Sequence, residues 1–318
     1  MTPRLPVAGV SRAPAPDLAL YPGWLRWPLA VLRTARPRQW PKNLLVFAAP
    51  LAGASLGRDD GLGYALVAAV AFCAASVAVY MLNDVVDADR DRRHPVKRTR
   101  PVAAGILPKS HALAIAAVCA MAALAAGLAI SVPLLSAILA AYLVSSLLYS
   151  LVLKHIPVIE LVFVASGFVL RALGGAAATH VPPSGWFLLV CSLGAFLVAT
   201  AKRYTEMVVL GADAVRHRPS TRWYRLGALR LTQRLTAIAM IIAYLLWALG
   251  EHGAWIRGWH LASALPLAAT LMRFDYLTAQ ASPRPVEDLL ARDAVMVVLE
   301  SAWLLMFVAG LWELVPWG

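Results

Sequence analysis

Apolar residues along this chain gather into long uninterrupted runs, rich in Ala, Leu and Val and separated by shorter polar stretches. Runs of ~18 or more such residues mark membrane-crossing helices. Nine stand out, near 43–57, 62–83, 111–130, 133–153, 157–178, 185–203, 233–250, 255–273 and 293–316. The first is short for a hydrocarbon layer of ~30 Å unless it begins near Trp40. The pattern predicts an all-α, polytopic membrane protein with nine transmembrane helices. Residues 1–22 contain Pro3, Pro6, Pro14, Pro16 and Pro22 and no apolar core. They read as a disordered tail rather than a cleavable signal. Trp24 to Arg33 reads as a short interfacial helix. The tail is placed at 1–32 and a single transmembrane domain at 33–318.

Composition agrees. Of 318 residues, 60% are apolar and 14% charged, where a soluble domain carries about 25% charged. The formal net charge of +12 is a topology signal first. With the N-terminus inside, segments 1–42, 84–111, 154–155, 202–234 and 273–292 share one side and hold 26 of the 29 Lys and Arg residues. Only Arg58, Arg171 and Arg257 fall elsewhere. The positive-inside rule makes that side cytoplasmic, so the chain is expected in the inner or plasma membrane as a multi-pass protein. The same charges would also attract anionic headgroups. Nucleic acid is not an expected partner, because the basic residues are dispersed through loops without interleaved aromatics. Cys73, Cys119 and Cys191 each lie in apolar runs with no CxxC spacing, which sets disulfides and zinc aside.

The second run ends in Asn83-Asp84-Val85-Val86-Asp87-Ala88-Asp89-Arg90-Asp91. If the helix continues beyond the membrane surface, Asp84, Asp87 and Asp91 stand at i, i+3 and i+7 on one face, over about 10 Å. Their mutual repulsion makes the stripe unfavourable without a cation. Hard oxygen donors in this array suit Mg²⁺, which keeps several waters and bridges to substrate phosphates. A solvated acidic turn neutralised by Arg90, Arg92 and Arg93 would also account for them. A calcium loop opening at Asp87 does not fit: its sixth and twelfth positions, where Gly and Glu are needed, are Arg92 and Arg98.

At these residues the chain resembles the UbiA superfamily of intramembrane prenyltransferases, whose first motif is N-D-x-x-D-x-x-x-D. The following Lys97-Arg98-Thr99-Arg100-Pro101-Val102-Ala103-Ala104-Gly105 is similar to that family's arginine-proline-glycine segment. The nine-helix layout agrees as well, so the resemblance covers roughly 33–316 and implies a UbiA-type bundle. The family's aromatic prenyltransferases carry a second motif, D-x-x-x-D, after the sixth span. Here that stretch reads Ala201-Lys202-Arg203-Tyr204-Thr205-Glu206. Fixed cations replace part of the second metal site, although Lys202 and Glu206 at i, i+4 also suit a simple helix ion pair.

Further residues resemble the decaprenyl-phosphate phosphoribosyltransferase branch. Arg36-Pro37-Arg38-Gln39-Trp40-Pro41-Lys42-Asn43 looks like its R-P-x-Q-W-x-K-N signature, and Tyr149-Ser150-Leu151-Val152-Leu153-Lys154 closes the fourth span as in that branch. Glu287 and Asp293 are similar too. Snorkelling to headgroups would equally explain Lys42 and Lys154, and interfacial anchoring Trp40. Arg171 lies inside the fifth span, where an unpaired charge costs ~2.5–3.5 kcal/mol. It is expected to face a polar cavity holding a phosphate, or to pair with Glu160 or with backbone.

The resemblance implies transfer of 5-phosphoribose from phosphoribosyl diphosphate to a polyprenyl phosphate, a step toward cell-wall arabinan precursors. It implies that Asn83, Asp84, Asp87 and Asp91 hold a Mg²⁺-diphosphate at a cytoplasmic site. Lys42, Arg98, Arg100, Lys154, Lys202 and Arg203 would hold phosphates, with Gln39, Asn43 and Arg171 also at the substrate, and Tyr149 and Glu206 would orient ribose hydroxyls. The paired acids and Thr-Gly loop by which soluble phosphoribosyltransferases hold this donor are not found in the sequence. Either an unrelated helical site holds it, or the donor differs. A prenyltransferase acting on an allylic diphosphate and an aromatic acceptor stays open, as does self-association into a homo-oligomer. A transporter would want several mid-span ionisable residues, and Arg171 and Glu300 stand nearly alone. The topology is testable by cysteine labelling from outside intact cells, in a background lacking the native thiols. The loops Arg90–Lys109 and Lys202–Arg230 should both stay unlabelled, and labelling of only one would break the span count.

Overall fold

A computed structural model describes residues 20–311 except 58–59, 94–96, 212–213, 215–218, 252, 281–285, 287–288 and 290–291. Residues 1–19 of the expected tail lie outside the described residues, as does Glu287, while residues 23–32 fall in a helix. Among the described residues eleven α-helices follow one another: α1 Gly23–Ala35, α2 Ala48–Ala52, α3 Gly61–Val86, α4 Ala88–Arg92, α5 Lys109–Ala129, α6 Pro133–Leu151, α7 Ile159–Ala178, α8 Gly185–Leu210, α9 Leu226–Gly250, α10 Ala254–Ala279 and α11 Ala294–Gly310. Between α1 and α2 runs a 3₁₀ helix, Pro37–Phe47. Shorter 3₁₀ turns cover Lys97–Thr99, Leu153–His155 and Pro219–Trp223.

Eight of the nine apolar runs are helices. Among the described residues six of these, α3 and α5 to α9, are long and apolar enough to cross a membrane. α11 is apolar but has 17 residues. α10 has 26 residues and carries Arg257, His260, Arg273 and Asp275. The nine expected transmembrane helices are therefore six by length and composition. The first run departs most. Pro41 and Pro50 each lack an amide donor, so the segment winds as 3₁₀ helix and then as the five residues of α2. It stops at Gly53 and at Ala54, whose φ is 47°.

Such irregular backbone is tolerated at membrane depth only when buried in protein, and here it is. Val46, Ala49 and Pro50 are buried, and the segment packs on α3 and α7. Gly174 and Gly175 of α7 make the room. A Cβ on Gly175 would overlap the Val46 carbonyl oxygen, and one on Gly174 the Phe72 ring. Ala65, Ala68, Ala71 and Ala75 of α3 are buried likewise, small residues that bring neighbouring helices close. Phe72 fits against Tyr142 of α6 with ring centroids 5.5 Å apart.

Ion pairs join helix ends across one side of the bundle. Lys109 at the start of α5 meets Asp89 at 3.3 Å, and Lys154 after α6 meets Asp87 at 3.4 Å. Arg230 at the start of α9 meets Asp275 near the end of α10 at 2.8 Å, and Arg273 meets Asp293 at 2.8 Å. The basic loops therefore gather at one end. Gly175→Ala should destabilise the protein by about 1–3 kcal/mol or more through overpacking, read as a lowered melting temperature in detergent. Gly63→Ala, where a Cβ meets nothing within 4 Å, should not. Equal behaviour of the two variants would contradict this packing.

Candidate active site

The acidic motif sits where α3 ends. The backbone ladder carries on, with the Asp87 amide bonded to the Asn83 carbonyl at 2.9 Å and the Asp91 amide to the Asp87 carbonyl at 2.8 Å. Asp87 itself, at φ −87° and ψ −1°, breaks the helix between α3 and α4. Asp84 and Asp91 remain together beneath this break. Their side chains are 3% exposed and share one nitrogen, Arg100 Nη1, at 3.3 and 2.7 Å. Arg36 Nη2 donates to the same Asp84 oxygen. Asp87 is directed instead at Lys154 Nζ. Asp89, 66% exposed, pairs outward with Arg92 and Lys109.

Among the described residues no three acidic, His or Cys side chains converge as a ready-made metal cage. Mg²⁺ does not require one, since it is bound through one or two carboxylates plus substrate phosphates. Asp84 and Asp91, oxygen donors already aimed at a single cationic nitrogen, fit that need. Arg36 was not among the site residues expected from sequence. It holds φ 52° and ψ 60° between α1 and the 3₁₀ helix, directly before Pro37, and its guanidinium lies 5.0 Å from the Tyr80 ring centroid. Its one sequence signal was its place at the head of the 36–43 segment.

A second cluster forms where α7 begins. Glu160, 0% exposed, accepts from Arg203 Nη2 at 3.0 Å and from Ser220 at 3.0 Å. Arg203 Nη1 pairs with Glu206. The ion pair expected between Lys202 and Glu206 is thus joined or replaced by Arg203–Glu206, one residue along. The Lys202 ammonium lies 5.7 Å from the Phe168 ring centroid. Ser220 also reaches the Lys154 carbonyl at 3.4 Å, which links the two clusters. Tyr224 accepts the Val158 amide at 2.7 Å, and burial pushes its phenol above the ordinary value. Ser220 and Tyr224 carried no sequence signal, because the loop that brings them has no periodicity.

Deeper in the bundle, Arg171 donates to Asn43 Oδ1 at 2.7 Å, the Gly167 carbonyl at 2.5 Å, the Tyr142 hydroxyl at 2.9 Å and Ser76 at 3.2 Å. It pairs with backbone, as one reading expected, while Glu160 goes to Arg203. Ser76 precedes Asp84 by eight residues, about 12 Å along a helix, so Arg171 and Asn43 lie below the carboxylates. Gln39 and Lys42, both part-buried, lie on the 3₁₀ helix that Arg36 opens. Arg98 is exposed two residues before Arg100, and Tyr149 is part-buried five before Lys154. Asp293 caps α11 by accepting the Met296 amide at 3.0 Å. Its hydrogen bonds from Arg273 hold its carboxyl below the usual range.

Carboxylates and fixed cations thus gather at the ends of the apolar helices. The profile of the UbiA prenyltransferase family matches residues 44–290, and the chain belongs to that family. It is 36% identical over 278 residues to a decaprenyl-phosphate phosphoribosyltransferase of Mycobacterium tuberculosis, covering 86% of this chain and 91% of the relative. The enzyme of the same name in Mycolicibacterium smegmatis is 34% identical over 286 residues, 86% of this chain and 90% of that one. A UbiA homolog from Archaeoglobus fulgidus bound to GPP and Mg²⁺ superposes with a TM-score of 0.64 at 16% identity, over 88% of this chain and 98% of the other. That likeness shows the fold.

Proposed function

We propose that this protein transfers 5-phosphoribose from 5-phosphoribosyl 1-diphosphate to a polyprenyl phosphate, decaprenyl phosphate by analogy with its relatives, and releases diphosphate. The observation that supports this choice of substrates is the similarity to phosphoribosyltransferases over 91% and 90% of their lengths. The site suits the chemistry. A phosphate monoester with a second pKa near ~6 is largely ionised at pH 7, so the acceptor needs no strong base. Its oxygen bonds to C1 of ribose as the bond from C1 to diphosphate breaks. What remains is to bring two polyanions together and stabilise the charge that departs.

In this reading Asp84, Asp87 and Asp91, with Asn83, hold Mg²⁺, which when bound neutralises charge on the diphosphate. Lys42, Arg98, Arg100, Lys154, Lys202 and Arg203 hold phosphates. Tyr149 and Glu206 orient ribose hydroxyls. Arg171 and Asn43 act beneath them, bracing the segment that carries Gln39 and Lys42. The basic end faces the cytoplasm, and the lipid enters between helices.

Nine crossings fit this reading as well. At ~2.0 Å per 3₁₀ residue and ~1.5 Å per α residue, Pro37–Ala52 spans about 30 Å, the thickness of the hydrocarbon layer. α10, at about 39 Å, and α11, at about 25 Å, complete the count.

The reading is tested at Lys202. A charge-assisted contact is worth ~1.5–3 kcal/mol, so Lys202→Gln should lower kcat/KM for phosphoribosyl diphosphate by ~10- to 150-fold. Lys202→Asp should be worse, because it sets a negative charge against a polyanion. An Asp variant equal to or better than Gln across Mg²⁺ concentrations would favour an allylic diphosphate donor instead.

A further inference from the structure

The two buried carboxylates of the acidic motif are already matched with positive charge. Asp84 and Asp91 are 3% exposed, whereas the Arg36 and Arg100 side chains that engage them are each 30% exposed. The guanidiniums are therefore the partners that reach solvent, and the carboxylates the ones that do not. Asp87 is matched by Lys154, with the carboxylate here the more exposed partner. Three carboxylates face three cations, and the formal charge of the group is zero.

This balance constrains what can bind. A divalent cation arriving alone sets its charge beside Arg36 and Arg100, which already hold Asp84 Oδ1 and Asp91 Oδ2, and taking either of those oxygens leaves a guanidinium repelled and short of an acceptor. Displacing one partner of a buried ion pair is strongly unfavourable when nothing replaces it. A diphosphate arriving alone meets guanidiniums already engaged, with two carboxylates close behind them. When the two arrive together the conflict disappears. The cation takes the carboxylate oxygens and the guanidiniums turn to the phosphate oxygens, whose fork geometry they match. Every charge keeps an opposite neighbour throughout.

Arg36 is built for such an exchange. Its left-handed backbone, fixed ahead of Pro37, directs the side chain toward α3. Tyr80, one turn before Asp84, offers a π face at 5.0 Å. The guanidinium can keep that contact when Asp84 is given to a metal.

We propose that Arg36 and Arg100 are phosphate ligands held in reserve by Asp84 and Asp91, released to the donor only when its diphosphate brings a divalent cation. Cation and diphosphate then bind as a pair and neither binds well alone. This rests on the reading of the site as one for a metal diphosphate, and it adds Arg36 to the residues that touch the donor.

The test uses binding, without turnover. The full chain in lipid nanodiscs is titrated with Mn²⁺, with and without inorganic diphosphate, and free Mn²⁺ is read by electron paramagnetic resonance against empty nanodiscs carrying the same diphosphate, which itself chelates Mn²⁺. In the wild type, diphosphate should tighten Mn²⁺ binding by ~10-fold or more, the weight of one charge-assisted contact. Arg100→Gln should bind Mn²⁺ alone more tightly than wild type, with most of the diphosphate enhancement lost. Arg36→Gln should shift both quantities the same way, and it serves where Arg100→Gln fails to fold. The reserve is overturned if wild-type Mn²⁺ affinity ignores diphosphate, or if the folded Gln variants bind Mn²⁺ alone no better than wild type. Asp84→Asn separates this failure from that of the underlying reading. If it keeps diphosphate-supported Mn²⁺ binding at the wild-type level, the acidic motif is not the metal site at all.

Discussion

A guanidinium carries five N–H donors, and inside an apolar bundle the protein itself must satisfy them. This constraint organises the structure. Arg171 gathers the first segment, α3, α6 and α7 around one side chain through Asn43, Ser76, Tyr142 and Gly167. Arg203 joins the start of α7 to the end of α8 through Glu160 and Glu206, although its buried Nε finds no acceptor among the described residues. Arg100 draws Asp84 and Asp91 together across the break at Asp87. Removing any one of these arginines would leave buried acceptors unpaired as well as a charge missing.

The proline-broken first segment depends on the same constraint. Its irregular backbone would be unstable against lipid, and it survives because Arg171 holds Asn43 while Gly175 leaves space for the Val46 carbonyl. Two of its residues then serve opposite ends of one task. Asn43 anchors the segment in the bundle, and Arg36 at its head reaches the carboxylates. Sequence separation is no guide here, since Arg36 and Asp84 are 48 residues apart and Asn43 and Arg171 are 128 apart.

What the sequence made legible follows from how each signal arises. Runs of apolar residues record lipid contact directly, so eight helices could be placed to within a few residues at most ends, α8, α9 and α10 running further at the basic end. The distribution of Lys and Arg marked the ends that the ion pairs bring together. The acidic motif is local, and repulsion among its carboxylates called for positive charge, which Arg36, Arg100 and Lys154 supply here where a divalent ion was expected. Three features were not legible. Pro41 and Pro50 turned an apparent span into a 3₁₀ segment, which hydropathy does not register. Arg203, rather than Lys202 alone, engages Glu206, because the tertiary pull of buried Glu160 sets the rotamers. Arg36 passed as a signature residue, since its role depends on a left-handed turn that aims it across the bundle.

In the proposed reaction this basic, cation-balanced end moves a phosphorylated sugar onto a lipid phosphate. Membranes containing the chain can be given ribose-labelled 5-phosphoribosyl 1-diphosphate, a polyprenyl phosphate and Mg²⁺. Label should pass to the lipid phase, with diphosphate released in equal amount. Label that stays in the aqueous phase, while an allylic diphosphate is consumed with an aromatic acceptor, would contradict the account.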